Sequence, residues 1–190
     1  MADYDAFHLR LISKLINYEI PSVKFHEHLG KIYFEKDEIN DEEYKLSKKL
    51  SFKLLYGSDI EGAREIEFFD KTYEFKDNLW QAFKNHEYIK TPKFKRIIPL
   101  SAINSANPGK IFSYLLQSYE TEFNTEVIND LFGLIKKRKS KLVLYTYDSF
   151  LFDVHVEDKK ILKKIKKIME GEKMKVEISY GNRLSSLKKL

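Results

Sequence analysis

The stretch KLVLYTYDSFLFDV, residues 141–154, sets the tightest limit on how this chain folds. Two runs rich in aliphatic, aromatic and β-branched residues, 142–147 and 150–156, flank Asp148-Ser149, both of them turn formers. Such a segment reads as a β-hairpin with Asp148-Ser149 at its tip. A hairpin alone is marginal in water, so further strands have to join it. Asp-Ser serves a turn well for its own sake, and that reading suffices while the segment is taken alone.

The rest of the chain is mainly helical. AFHLRLISKLINYE carries Phe7, Leu9, Leu11, Ile12, Leu15 and Ile16 close to helical spacing, which predicts a mostly buried helix ending before Pro21. A second helix is expected over 22–34 and a third over 41–56, where Asn40 and Glu43 form a capping box and Gly57 is a stop. At about 100° per residue, Leu46, Leu50 and Leu54 share one face of that third helix. Lys48, Phe52 and Tyr56 fall within an ~80° stripe on nearly the opposite side. One face anchors the helix; the other, flanked by Lys45 and Lys49, is left for secondary core or for a ligand. Helices near 59–71 and 76–86 follow, then a loop and strand in TPKFKRIIPL. A helix starts after Asn107 with Pro108 at its first position, and another is capped by Asn124 or Thr125. EDKKILKKIKKIME reads as an amphipathic helix and KVEISY as a last strand. The order of elements is α+β, without repeats or a low-complexity linker.

Composition narrows the function. With 190 residues, 43% of them hydrophobic, the chain can bury one sizeable core, as one domain or two closely packed subdomains. No apolar run approaches the roughly 20 residues of a membrane span, and MADYDAFHLR lacks the basic flank and apolar core of a signal peptide, so no membrane partner and a cytoplasmic location are expected. The absence of cysteine excludes disulfides, thiolate zinc sites and a cysteine nucleophile. His26 and His28 are spaced i, i+2 and diverge on a helix, which argues against a metal pair. The net charge is only +5, from 34 Lys+Arg against 29 Asp+Glu, yet it is unevenly spread. EKDEINDEE (35–43) is acidic, whereas KKRKSK (136–141), KKILKKIKK (159–167) and RLSSLKKL at the end are basic. A polyanion meets an uneven surface. Any one of these runs is also what a merely solvated face looks like.

Three stretches together add a specific resemblance. ADYDAFHLRLISKL (2–15), KLSKKLSFKLLYG (45–57) and LVLYTYDSFLFDV (142–154) resemble, in order, motifs A, B and C of the family A DNA polymerases. FKRIIPLSAINSANPGKIFSYLLQ resembles the segment leading into the helix behind the primer terminus, and KVEISYGN the closing strand, so the likeness is collinear over essentially the whole chain. It implies an α+β polymerase palm, an antiparallel sheet with the catalytic hairpin packed on helices, and a reduced helical fingers subdomain. The implied division is palm over 1–38, fingers over 39–98 and palm over 99–190. The implied activity is template-directed addition of deoxynucleotides to a primer 3′ end, in the setting of phage replication. It needs a primed DNA template, deoxynucleoside triphosphates and two Mg²⁺ ions, with Mn²⁺ as a substitute.

The resemblance also implies roles for residues. Nucleotidyl transfer clamps the attacking and leaving oxygens between two metal ions, and magnesium takes oxygen ligands. Asp3 and Asp148 match the two metal-binding aspartates, and the Tyr4 backbone carbonyl the third oxygen ligand. Lys48 matches the lysine on the triphosphate, which can protonate the leaving pyrophosphate. Phe52 matches the residue against the nucleotide sugar, and Tyr56 the one stacked beside the templating position. Asn104, with Lys110 beyond it, matches the region near the nucleic acid, and Arg10 a structural arginine. Departures are His8 for a glutamate in sugar discrimination, Tyr44 for an arginine, Pro108 for a glutamine and Tyr147-Asp148-Ser149 for His-Asp-Glu. The chain begins at motif A, which predicts a second polypeptide supplying thumb and first palm strands as ladder partners for the strand of Asp3; a cut fragment is the competing explanation. Two other functions compete: a single-subunit RNA polymerase-like enzyme, suggested by YGS and YDSF but opposed by Phe52, and a non-catalytic DNA-binding scaffold.

Overall fold

The structure, a computed structural model, describes residues 1–57 and 62–189. In chain order its elements are β1 (Ala2–Tyr4), α1 (Phe7–Leu15), α2 (Phe25–Phe34), α3 (Asp41–Tyr56), α4 (Glu67–His86), β2 (Tyr88–Lys90), β3 (Ile97–Pro99), α5 (Pro108–Ile135), β4 (Lys141–Thr146), β5 (Ser149–Asp153), α6 (Ile161–Met169), β6 (Val176–Tyr180) and β7 (Lys188–Lys189). The chain is α+β, as expected from the order of its sequence patterns. It divides into two compact units, Met1–Phe7 with Glu120–Leu190, and His8–Tyr119.

The first unit is built on an antiparallel five-stranded sheet in the order β4-β5-β1-β6-β7. A three-residue strand is not stable by itself. β1 is held because both its edges are paired: Ala2 faces Phe150 and Ile178, Asp3 faces Ser149 and Glu177, and Tyr4 faces Val176. The sequence-based expectation that the strand of Asp3 takes its ladder partners from another polypeptide is therefore corrected; β5 and β6 of this chain supply them. Alternation sends Ala2 and Tyr4 to the side of Phe150 and Val176, all buried, and Asp3 to the other face. The Tyr4 ring stacks on Phe7 at 4.3 Å and meets Phe123 and Phe150 edge-on, so burial pushes its phenol far above the ordinary value. α6 packs along β6 and buries Ile161, Ile165 and Met169. The apolar face available there is the one carrying Tyr4 and Val176.

The hairpin turn differs by one residue from the expectation. Thr146 pairs with Ser149, so Tyr147-Asp148 makes the turn and Ser149 opens β5. Tyr147 takes the left-handed conformation, at φ 50°, which a tight turn needs and few non-glycine residues adopt. Its carbonyl accepts the Asn124 amide at 2.8 Å, and the same amide donates to the Tyr145 hydroxyl at 2.9 Å. Asn124 thus does not cap a new helix: α5 runs unbroken from Pro108 to Ile135, and Asn124 is buried in its middle. The start of that helix is as expected, with the Asn107 side chain accepting the Lys110 amide.

In the second unit α3 has the predicted limits and capping box. Asn40 Oδ1 accepts from Glu42 and Glu43, while Glu43 Oε2 accepts from the Asn40 amide. Of the three leucines predicted to anchor the helix, only Leu54 is buried. Ser47, Ser51, Leu54 and Leu55 are buried, whereas Leu46 is 46% exposed. Close approach to α2 is the reason: a methyl group on Gly30 would lie 2.6 Å from Ile39 and 3.1 Å from Ser47 Cβ, so small residues are required. Buried hydroxyls need partners, and Ser47 finds one in the His26 carbonyl and Ser51 one in that of Ser47. The two helices expected at 59–71 and 76–86 are one, α4, preceded by a 3-10 turn at Ala63–Glu65; the part of that expectation falling on 59–61 lies outside the described residues. β2 and β3 form a small ribbon over a core of Phe83, Ile89, Ile103, Ile111 and Leu115. Arg10, 1% exposed, donates to the Pro21 and Val23 carbonyls and lies over the Phe25 ring, a structural placement. Among the described residues no helix is long and apolar enough to cross a membrane.

Candidate functional site

In the first unit the strand that carries Asp3 lies beside the hairpin that carries Asp148. Asp3 stands directly across from Ser149, the neighbour of Asp148, and the Tyr4 amide donates to the Asp148 carbonyl at 3.0 Å. Asp148 is exposed at the turn and Asp3 half-buried on the sheet face away from the apolar layer. The Tyr4 side chain is core, so what this residue can offer a ligand is its backbone carbonyl. Rigidity comes from beneath: the Asn124 amide holds the turn, and Ser149 Oγ and Thr146 Oγ1 lie 2.9 Å apart across it. Glu177, which sequence reasoning missed, lies opposite Asp3 on β6, and therefore on the same face. Its carboxylate accepts from the Lys189 ammonium of β7 at 2.6 Å. Nothing in KVEISY singles Glu177 out, because only the register reveals its neighbour. Among the described residues no group of three or more His, Asp or Glu side chains converges as a metal site.

The second unit holds the predicted stripe of α3. The rings of Phe52 and Tyr56 stack at 6.3 Å with planes 10° apart, and His26 lies 5.7 Å from Phe52 on the other side. Tyr56 Oη and His8 Nδ1 are hydrogen-bonded, with the two rings edge-to-face at 5.9 Å. Phe52 and Tyr56 remain 41% and 37% exposed, so the stripe is a surface and not secondary core. Lys48 is exposed on the same stripe and has no carboxylate partner among the described residues. Tyr44 contacts the His26 ring and lies beneath the Lys24 ammonium at 5.6 Å. His28 donates to or accepts from the Tyr18 hydroxyl at 3.0 Å, and burial holds its pKa below the usual value. The two histidines thus diverge, as their spacing requires.

Two residues outside the predicted set hold the end of this stripe. A helix leaves its last carbonyls without intrahelical partners. Here Tyr73 Oη donates to the Leu54 carbonyl at 3.0 Å and Lys76 Nζ to that of Leu55 at 2.5 Å, both from α4. Lys76 is buried, with its ammonium 4.9 Å from the Tyr73 ring and 4.7 Å from that of Phe112. A cation at a helix C-terminus also suits the helix dipole. Lys110 Nζ donates to the Asn104 carbonyl at 2.8 Å, which ties those two predicted residues to each other.

No family model and no curated protein sequence matches the chain. Among solved structures it is similar to the POL domain of Pol1 from M. smegmatis, determined in complex with DNA primer-template and dNTP, with a TM-score of 0.74 at 17% identity. The match covers 92% of this chain and 38% of that one, so this chain spans well under half of the Pol1 chain. The chain accordingly has the fold of a DNA polymerase domain.

Proposed function

We propose that the chain is the palm-and-fingers part of a template-directed DNA polymerase of the family A type, extending a primer 3′ end with deoxynucleotides. The observation that carries this reading is the register of β1 against β5, which brings Asp3 beside the hairpin of Asp148. Segments 1–38 and 99–190 would serve as palm and 39–98 as reduced fingers.

The donor set suits magnesium. Two carboxylates and a backbone carbonyl are hard oxygen ligands, and magnesium is commonly held by one or two carboxylates with the substrate phosphates completing its shell. Asp3, Asp148 and the Tyr4 carbonyl would hold the ions, which when bound stabilise the charge on the attacking and leaving oxygens. Lys48 would bind the triphosphate and donate a proton to the leaving pyrophosphate. Phe52 would lie against the sugar, Tyr56 beside the template base and His8 behind Tyr56. Asn104 and Lys110 would contact the nucleic acid. A polymerase also needs a thumb, which a second polypeptide would supply, and a compressed enzyme of this kind suits phage replication.

The aromatic at Phe52, half-exposed on the stripe, favours deoxynucleotides over an RNA polymerase-like activity. Substituting Asp148→Asn keeps the shape of the turn while removing the charge. Primer extension should fall by at least a thousandfold, with duplex binding within about twofold of the parent, because electrostatic stabilisation of the reacting oxygens is the largest catalytic contribution. Extension surviving in D148N would rule out this metal site.

A further inference from the structure

The two longest basic runs of the sequence, 136–141 and 159–167, are separated by 17 residues, and the polymerase reading uses neither. The fold joins them. Asp158, in the 3-10 turn before α6, accepts the amides of Lys139 and Ser140 and the Ser140 hydroxyl, each at 3.0 Å, and the Arg138 guanidinium at 3.4 Å. These bonds, the Ser140 amide foremost, hold its carboxyl below the usual carboxylate range. The loop 136–141 is thereby fastened to the entrance of α6. Together, 136–141 and 157–170 carry eleven Lys and Arg against Glu157, Asp158 and Glu170, while the whole chain has an excess of only +5. The positive charge of the protein is concentrated here.

The lysines of α6 and its entrance are ordered. Lys159, Lys160, Lys163, Lys164, Lys166 and Lys167 are all exposed, opposite the buried Ile161, Ile165 and Met169. They occupy an arc of about 160° and a length of about 12 Å. Lysines three and four apart on a helix repel one another. Among the described residues only Lys166 has a carboxylate partner, Glu170 at 3.6 Å. α6 packs along β6 with Ile161, Ile165 and Met169 buried, which leaves these lysines on the outer side of the helix.

We infer that this joined surface binds the phosphate backbone of duplex DNA, without regard to sequence and separately from the site of Asp3 and Asp148. The chemistry selects this partner. Neither segment contains an aromatic residue, so the surface lacks the stacking platforms that hold single strands. It exposes no large apolar side chain on α6 to anchor a protein, and lysine binds phosphate as a point charge. A duplex presents one charge per about 1.7 Å of its axis with both strands counted, so a length of about 12 Å carries roughly seven phosphates over the two strands.

The test is anisotropy of a labelled, blunt duplex of about 20 base pairs and of a single strand of equal length, over a range of salt. It needs no catalysis, so its outcome is independent of whether the chain polymerises. In a Lys163→Glu, Lys164→Glu, Lys167→Glu variant, duplex affinity should fall at least tenfold at low salt. The slope of log affinity against log salt should become shallower by about 3, at roughly 0.9 for each phosphate that is no longer neutralised. The matching Lys→Arg triple should bind within about twofold of the parent. Circular dichroism and melting establish that each variant is folded; if the Glu triple is not, a Lys→Gln triple should lower affinity and slope in the same direction. Unchanged duplex binding in the reversed or neutral variant, or a loss confined to the single strand, overturns the inference.

Discussion

His8 and Tyr56 stand 48 positions apart and share one hydrogen bond, which fixes the ring at the exposed end of the α3 stripe. Spacing along one helix predicts that Phe52 and Tyr56 share a side, and the stacked rings at 6.3 Å bear that out. It says nothing of a residue on another helix. If His8 supports the nucleotide pocket through Tyr56, removing the imidazole by His8→Ala frees the ring at the cost of a net hydrogen bond, about 1 kcal/mol. Discrimination between deoxyribo- and ribonucleotides should then weaken by about fivefold, read from single-nucleotide incorporation under single-turnover conditions. An unaltered ratio would remove His8 from the sugar pocket. The leucine stripe of α3 failed at the same scale: hydropathy ranks Leu46 above Ser47, but the gap to α2 at Gly30 admits only the serine.

Among the elements, the best predicted are those whose ends carry their own chemistry. α3 begins at a capping box and stops at Gly57, both legible from the chain. The hairpin was legible too, although its turn moved by one residue because Tyr147 accepts a left-handed backbone. What stabilises that conformation is Asn124 on α5, whose polar side chain reads from sequence as a helix start. Replacing it by Asn124→Ala removes both hydrogen bonds to the hairpin, a loss of about 1–3 kcal/mol for a buried amide and its partners. Melting should fall by roughly 2–12 °C at this chain length, at about 2–4 °C per kcal/mol. Primer extension should fall further than the melt accounts for, since the turn that aims Asp148 loosens. Equal melting temperatures for N124A and parent would show that the brace carries no load.

For the molecule as a whole, β1 decides the matter. It is paired on both edges by this chain, so the strand of Asp3 is held beside the hairpin of Asp148 by hydrogen bonds between strands and needs no ion to hold it there. Chelating divalent metal should therefore abolish primer extension while leaving the far-ultraviolet spectrum and the melting temperature within about 1 °C, the ladder being metal-free. A large drop in melting on chelation would mean the ions clip the fold together. The amino-acid sequence alone determined the class of the fold, the hairpin, the capped helix and the exposed stripe of Lys48, Phe52 and Tyr56, because periodicity, caps and turn residues act within a few positions. Register was decided only in three dimensions. Alternation says which residues of a strand share a face, but which strand lies beside it depends on packing across the whole chain. That is why Asp3 could be chosen by resemblance, whereas Glu177 at its side and the union of the two basic runs emerged only from the folded sheet and its helix.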